Sequence, residues 1–141
     1  MFHKKIRLFF QILPAVVLSS CFEMPDLNGI ENSVSISGMN KQFFIESKTW
    51  GLAGNHEEIK LVSAENCDTI TFYTDQIFYE VKGTDTLAIH TNSSSFSEKP
   101  SKFCETIFLE IHELTSYDDI EKMEKTFKER GLERFTSNDG K

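Results

Sequence analysis

TITFYTDQIFYEVKGTDTLAIHT, residues 69–91, alternates apolar and polar side chains three times over, with a turn former at each break. Ile70 shares a face with Phe72, Ile77 with Tyr79 and Val81, and Leu87 with Ile89. Asp75-Gln76 and Lys82-Gly83-Thr84-Asp85 punctuate the runs. A period of two puts alternate side chains on opposite faces of a strand, so each run reads as a strand with one face buried. The pattern extends outward from this stretch. Residues 34–38, 42–47, 58–63 and 105–112 alternate in the same way, with Phe43 beside Ile45, Ile59 beside Leu61, and Ile107 beside Leu109 and Ile111. About seven short strands rich in β-branched and aromatic residues predict an antiparallel β-sandwich, immunoglobulin-like or a small barrel.

The period changes at the C-terminus. In SYDDIEKMEKTFKERG, residues 116–131, Tyr117, Ile120, Met123 and Phe127 fall on one helical stripe, which predicts an amphipathic helix over 117–130. Ser116 stands at the N-cap, with Asp119 three residues on as the short-armed partner of a capping box. Gly131 suits the left-handed residue that ends a helix, and Leu132 its hydrophobic partner. Asp118–Lys122, Glu121–Lys125 and Glu124–Lys128 are spaced for ion pairs along the solvated face.

The other end of the chain has a different character. MFHKKIRLFFQILPAVVLSSC opens with Lys4, Lys5 and Arg7, continues with a short apolar run, and closes on Leu18-Ser19-Ser20-Cys21. The layout resembles a bacterial lipoprotein signal peptide with its lipobox. The resemblance implies cleavage after residue 20, acylation of Cys21 and a membrane anchor made of lipid rather than of a spanning helix. Residues 21–33 then read as lipidated cysteine and tether, and 34–141 as a single β-rich domain. Phe22 follows the cysteine where an aspartate would retain some lipoproteins at the inner membrane, which favours the outer membrane in a Gram-negative host. Loss of the leader leaves 12 basic against 22 acidic residues, a charge of −10. A chain of that sign with no basic face is a poor partner for nucleic acid, whose affinity rests on phosphate neutralisation.

With Cys21 acylated, Cys67 and Cys104 remain, either bridged in an oxidising compartment or buried as two separate thiols. His56-Glu57-Glu58 lacks the spacing that sets two ligands on one helical face. It lies in WGLAGNHEEIKLV (50–62), which reads as a hairpin: a strand ending near Trp50, a loop over Gly51–Asn55 and a strand starting near Glu57. His90 and His112 alternate opposite to the apolar residues of their runs and are predicted to face outward. If those strands were neighbours, His90, His112 and Glu110 could offer a zinc site, which takes three or four ligands. No nucleophile elbow and no phosphate-cradling loop is present, and no cofactor is implied.

WGLAGNHEEIKLV, taken with the stretch quoted first, resembles a group of small exported gut-bacterial β-sandwich lipoproteins of unassigned function. The resemblance spans most of the domain and brings no catalytic residue with it. Two expectations follow. The first is a non-enzymatic module that binds an envelope protein or exposed glycan, with Trp50, Tyr73 and Phe78 as candidate contacts. The alternative is a small metal-dependent hydrolase that uses its surface histidines and glutamates.

Overall fold

The computed structural model describes residues 30–50, 56–92 and 99–137. The leader, Cys21 and the first part of the expected tether lie outside the described residues. Nine strands and one helix follow in order: β1 (Ile30–Ile36), β2 (Phe43–Trp50), β3 (His56–Ser63), β4 (Thr69–Phe72), β5 (Gln76–Lys82), β6 (Thr86–Thr91), β7 (Lys102–Phe103), β8 (Ile107–Glu113), α1 (Tyr117–Thr126) and β9 (Glu133–Thr136). β1 therefore begins inside the segment expected to be tether. No helix among the described residues is long and apolar enough to cross a membrane.

The strands form two sheets. One is a four-stranded antiparallel meander in the order β1-β2-β3-β4, and the other runs β7-β8-β6-β5-β9. The chain changes sheet between β4 and β5, where the Thr74 hydroxyl bonds Asn92 Oδ1 and the Gln76 carbonyl, at 2.5 and 3.1 Å. The expected hairpin around 50–56 is borne out at its flanks: β2 and β3 pair antiparallel from Phe43↔Ser63 to Trp50↔His56. Its loop, 51–55, and the side chain of Trp50 lie outside the described residues.

The alternation seen in the sequence becomes the core. Ile36, Phe43, Ile45, Ile59, Leu61, Ile70 and Phe72 from the first sheet meet Ile77, Tyr79, Leu87, Ile89, Phe103, Ile107, Leu109 and Phe135 from the second. Each is nearly free of solvent, and burial of one such side chain stabilises by about 1.5–3 kcal/mol. The two layers are also tied by polar contacts at their ends and sides. Asn40 N donates to Thr84 O at 2.9 Å between two turns, and Asn32 Nδ2 donates to Thr136 O at 3.3 Å between β1 and β9.

The second sheet departs from the expected antiparallel plan. β6 and β8 pair in parallel, Leu87 opposite Leu109 and Ile89 opposite Ile111. The chain leaves β6, turns back into two-residue β7, and a tight turn over 104–106 inserts β8 between β7 and β6. β7 and β9 are strands beyond the expected seven.

α1 packs on the outer face of this sheet. Met123, buried, and Phe127, partly so, cover Phe78, with Leu114 and Leu132 completing a second apolar cluster. Phe78 is 1% exposed, so the expectation that it forms a partner contact is corrected: its strand face is roofed by the helix. Tyr117 is corrected in the opposite sense, standing 78% exposed at the first helical residue rather than joining the buried stripe. The capping box forms as expected, Asp119 N donating to Ser116 Oγ at 3.1 Å and Ser116 N to Asp119 Oδ2 at 3.2 Å. Gly131, at φ +74, closes the last turn: its N–H donates to Lys128 O and that of Leu132 to Phe127 O, the paired bonds of a Schellman motif. Of the three ion pairs expected along the helix only Glu121–Lys125 forms, and Glu124 instead accepts from Gln76 Nε2 at 2.7 Å.

Cys67 and Cys104 are joined, with Cα atoms 5.4 Å apart. The bridge fastens the β3–β4 turn of one sheet to the β7–β8 turn of the other. Asn66, Cys104 and Glu105, the three non-glycine residues at positive φ among those described, sit at its two ends. Each such residue costs about 1–2 kcal/mol. A closed loop spanning 37 residues stabilises by about 4 kcal/mol in the chain-entropy account, which offsets much of that cost. Replacing both cysteines by serine should lower stability by about 2–4 kcal/mol in denaturant titrations, with the two-sheet fold retained by circular dichroism. An unchanged midpoint would show that the bridge fastens nothing.

Candidate functional site

The outer face of the second sheet is ordered in rows. Parallel pairing of β6 with β8 and antiparallel pairing of β5 with its neighbours align Arg134, Phe78, His90 and His112 across four strands. The next row holds Glu80, Ala88 and Glu110, and the next Lys82, Thr86, Phe108 and Lys102. Ala88, fully buried, is small enough for Lys82 to reach across it. Lys82 Nζ bonds Glu110 Oε2 at 2.6 Å and lies 3.7 Å from Glu80 Oε1. Its hydrogen bond holds the Glu110 carboxyl below the usual range, and the same bond raises the lysine.

The strands of His90 and His112 are thus neighbours, as a shared site required. Their rings stack, centroids 4.6 Å apart and 18° from parallel. Their surroundings differ. His112 keeps 49% of its side chain in solvent, with Nε2 3.7 Å from Glu110 Oε2. His90 is only 8% exposed, which corrects the expectation that it faces water. It does point to the outer face, but α1 covers that part of it. Burial first, then His112 and Arg130, lower the His90 pKa to about 4, with Glu80 opposing and Lys82 adding to the effect.

The zinc arrangement does not assemble. No group of three histidine, cysteine, aspartate or glutamate side chains is disposed to hold a metal ion among the described residues. The two imidazoles stack face to face instead of converging, and Glu110 is engaged by Lys82. Tyr73, the remaining candidate contact, is 59% exposed beside the sheet-to-sheet crossing.

The histidines open instead into a cleft of about 370 Å³ between the sheet and α1, lined by His90, His112, Glu113, Leu114, Asp119, Lys122, Met123 and Arg130. Its two acids are committed elsewhere. Asp119 caps the helix, and Glu113 lies 3.5 Å from Lys99. Lys122 and Arg130 meet no carboxylate within 4.0 Å among the described residues. Arg130 Nη1 touches Met123 Sδ at 3.3 Å, which leaves most of its donors unused. The sequence marks Lys122 as a partner for Asp118 on the solvated face and does not mark Arg130 at all. They belong to the site because the helix lies over His90, and that docking is a tertiary fact. A second hollow of about 230 Å³ lies between β1 and β5, where Tyr79 Oη donates to Glu133 Oε2 at 2.7 Å. Burial and that carboxylate push the phenol above its ordinary range.

Comparison with family profiles, with curated proteins and with solved structures finds no match.

The buried imidazole sets a pH dependence. A folded-state pKa near 4 against about 6.5 unfolded means that the unfolded chain binds the extra proton between those values. Stability is therefore full above pH ~6.5, falls as pH drops through that window, and the loss is complete near pH 4, at about 3 kcal/mol. Chemical denaturation of the wild type and of His90→Asn over this range should show the slope in the first and its reduction in the second. Equal slopes would contradict a buried neutral His90.

Proposed function

We propose that the protein is a lipid-anchored binding module of the cell envelope, held to the membrane through Cys21 and using the cleft beneath α1 to engage its partner. The observation that carries this reading is the cleft itself. It exposes unengaged cationic donors and one edge of a buried imidazole, yet neither histidine hydrogen-bonds a serine, threonine or cysteine among the described residues. Both cysteines of the β domain are consumed in the bridge, so no thiolate nucleophile is on hand.

The anchor rests on Leu18-Ser19-Ser20-Cys21 after a basic start and a short apolar run. β1 begins at Ile30, so the tether expected over 21–33 shortens to the residues after Cys21 and before β1. A chain of eight residues spans at most about 29 Å, which keeps a partner-binding domain close to the membrane surface. A rigid, disulfide-fastened sandwich on a short leash suits capture of a partner at that surface.

Feeding cells an alkyne fatty acid should label the wild type, and Cys21→Ala should lose both label and membrane fractionation. A photo-crosslinking residue at Tyr117, exposed on the helix that borders the cleft, should give a discrete adduct on intact cells. No label on the wild type, or only uncrosslinked monomer after illumination, would overturn the reading.

A further inference from the structure

We infer that the cleft beneath α1 is a carboxylate-binding site for a small organic acid, of which a sugar acid is the class that suits it best. Arg130 and Lys122 would hold the anion, and His90 would supply a directed hydrogen bond at its inner end. This ligand class rests on the binding-module reading above.

Three observations converge. His90 is nine-tenths buried, lines the cleft, and makes no hydrogen bond to any described protein group; its one ring contact is the stack on His112. Among the described residues Ser137 Oγ is the one side-chain polar atom both sealed from solvent and unpartnered, so the unpaired His90 nitrogens stay open to the cleft on an otherwise buried ring. A ligand in the cleft can reach them. A neutral imidazole has one N–H donor to give, and the stack on His112 fixes the plane in which it points.

The charge of the cleft is the second observation. The groups that face His90 and His112 are Lys122 and Arg130 from the helix and the turn after it, Glu113 with its partner Lys99, Asp119 at the helix cap, and Glu80, Lys82 and Glu110 on the sheet. Glu80 and Glu110 are joined to Lys82, Glu113 to Lys99, and Asp119 to the backbone and hydroxyl of Ser116. By count these groups balance, four cations to four carboxylates, but Arg130 has no carboxylate within 4.0 Å and Lys122 has only the more distant charge of Asp119. Burial is the main cause of the depressed His90 pKa, and the charges of His112 and Arg130 add to it. A bound carboxylate favours the protonated form of His90, so binding tightens as pH falls toward the His90 titration. A guanidinium also matches the two oxygens of a carboxylate with parallel donors.

Size is the third observation. At about 370 Å³ and open to solvent, the cleft falls in the range that encloses small molecules, while Met123 and Leu114 give it an apolar wall. A sugar acid combines the three features: a carboxylate for the cations, a hydroxyl for His90, and C–H faces for the methionine and leucine.

The test uses the full-length protein in detergent micelles, titrated with D-glucuronate, glutarate and D-glucose at about pH 5.5 and about pH 7.5. Imidazole resonances are read by NMR and affinities by calorimetry. D-glucuronate should shift His90 and His112 saturably and bind tighter at the lower pH, while D-glucose moves neither. Arg130→Gln and Lys122→Gln, both at exposed positions, should each weaken binding about tenfold or more, with near-ultraviolet circular dichroism unchanged. Glutarate weaker than glucuronate supports the sugar acid; glutarate as tight as glucuronate overturns that class and keeps the carboxylate site. No saturable shift of His90 with either acid, or affinity unchanged in both variants, overturns the site. Adducts on cells without any glucuronate response would overturn the ligand class alone. Glucuronate binding with neither label nor adduct would overturn the envelope reading and leave the site standing.

Discussion

The parallel pairing of β6 with β8 governs the outer surface of the second sheet. It sets Leu87 against Leu109 and Ile89 against Ile111 on the core side, so His90 must meet His112 on the other. A slip of one residue would carry both apolar pairs to the wrong face and expose them, which the sandwich core forbids. The histidine pair is thus a by-product of hydrophobic register. The same register places Glu110 two residues before His112 and within reach of Lys82 across Ala88, and so removes that carboxylate from the histidines.

The helix completes what the register begins. A sheet with one partner layer has one dry face, but this sheet has two, because Met123, Phe127 and Leu132 cover Phe78 on the side away from the first sheet. The roof is partial. It seals Phe78, covers most of His90 and stops short of His112, and that boundary is the cleft. The Ser116–Asp119 box and the turn at Gly131 fix where the helix starts and ends, and hence where Lys122 and Arg130 stand over the histidines. Local capping chemistry therefore positions the charges of a site whose floor is set by long-range pairing.

Much of this was legible in the sequence. Period-two alternation marked the strands that supply nearly all of the core, and the capping residues marked the helix. β7 and β9 were not legible: the first is two residues inside a polar loop, and the second presents only Phe135 as a fully buried side chain. Alternation told correctly that Phe78 and His90 leave the main core. It could not tell that a helix 27 or more residues downstream returns to cover them, because period two reports a face and says nothing of what lies on it. The neighbourhood of His90 and His112 was stated as a condition and is met; the stacking of their rings and the capture of Glu110 depend on register, which no single strand encodes.

The cleft depends on a neutral, ligand-accessible His90 stacked on His112 at the edge of the helical roof. Side-chain NMR of the histidines over a pH series measures that state directly. A single imidazole that stays neutral until about pH 4, with cross-relaxation to the ring protons of a second histidine that His112→Ala removes, is the predicted result. If every imidazole were protonated by pH ~6, or none showed a neighbouring ring, the geometry on which the cleft is built would be wrong.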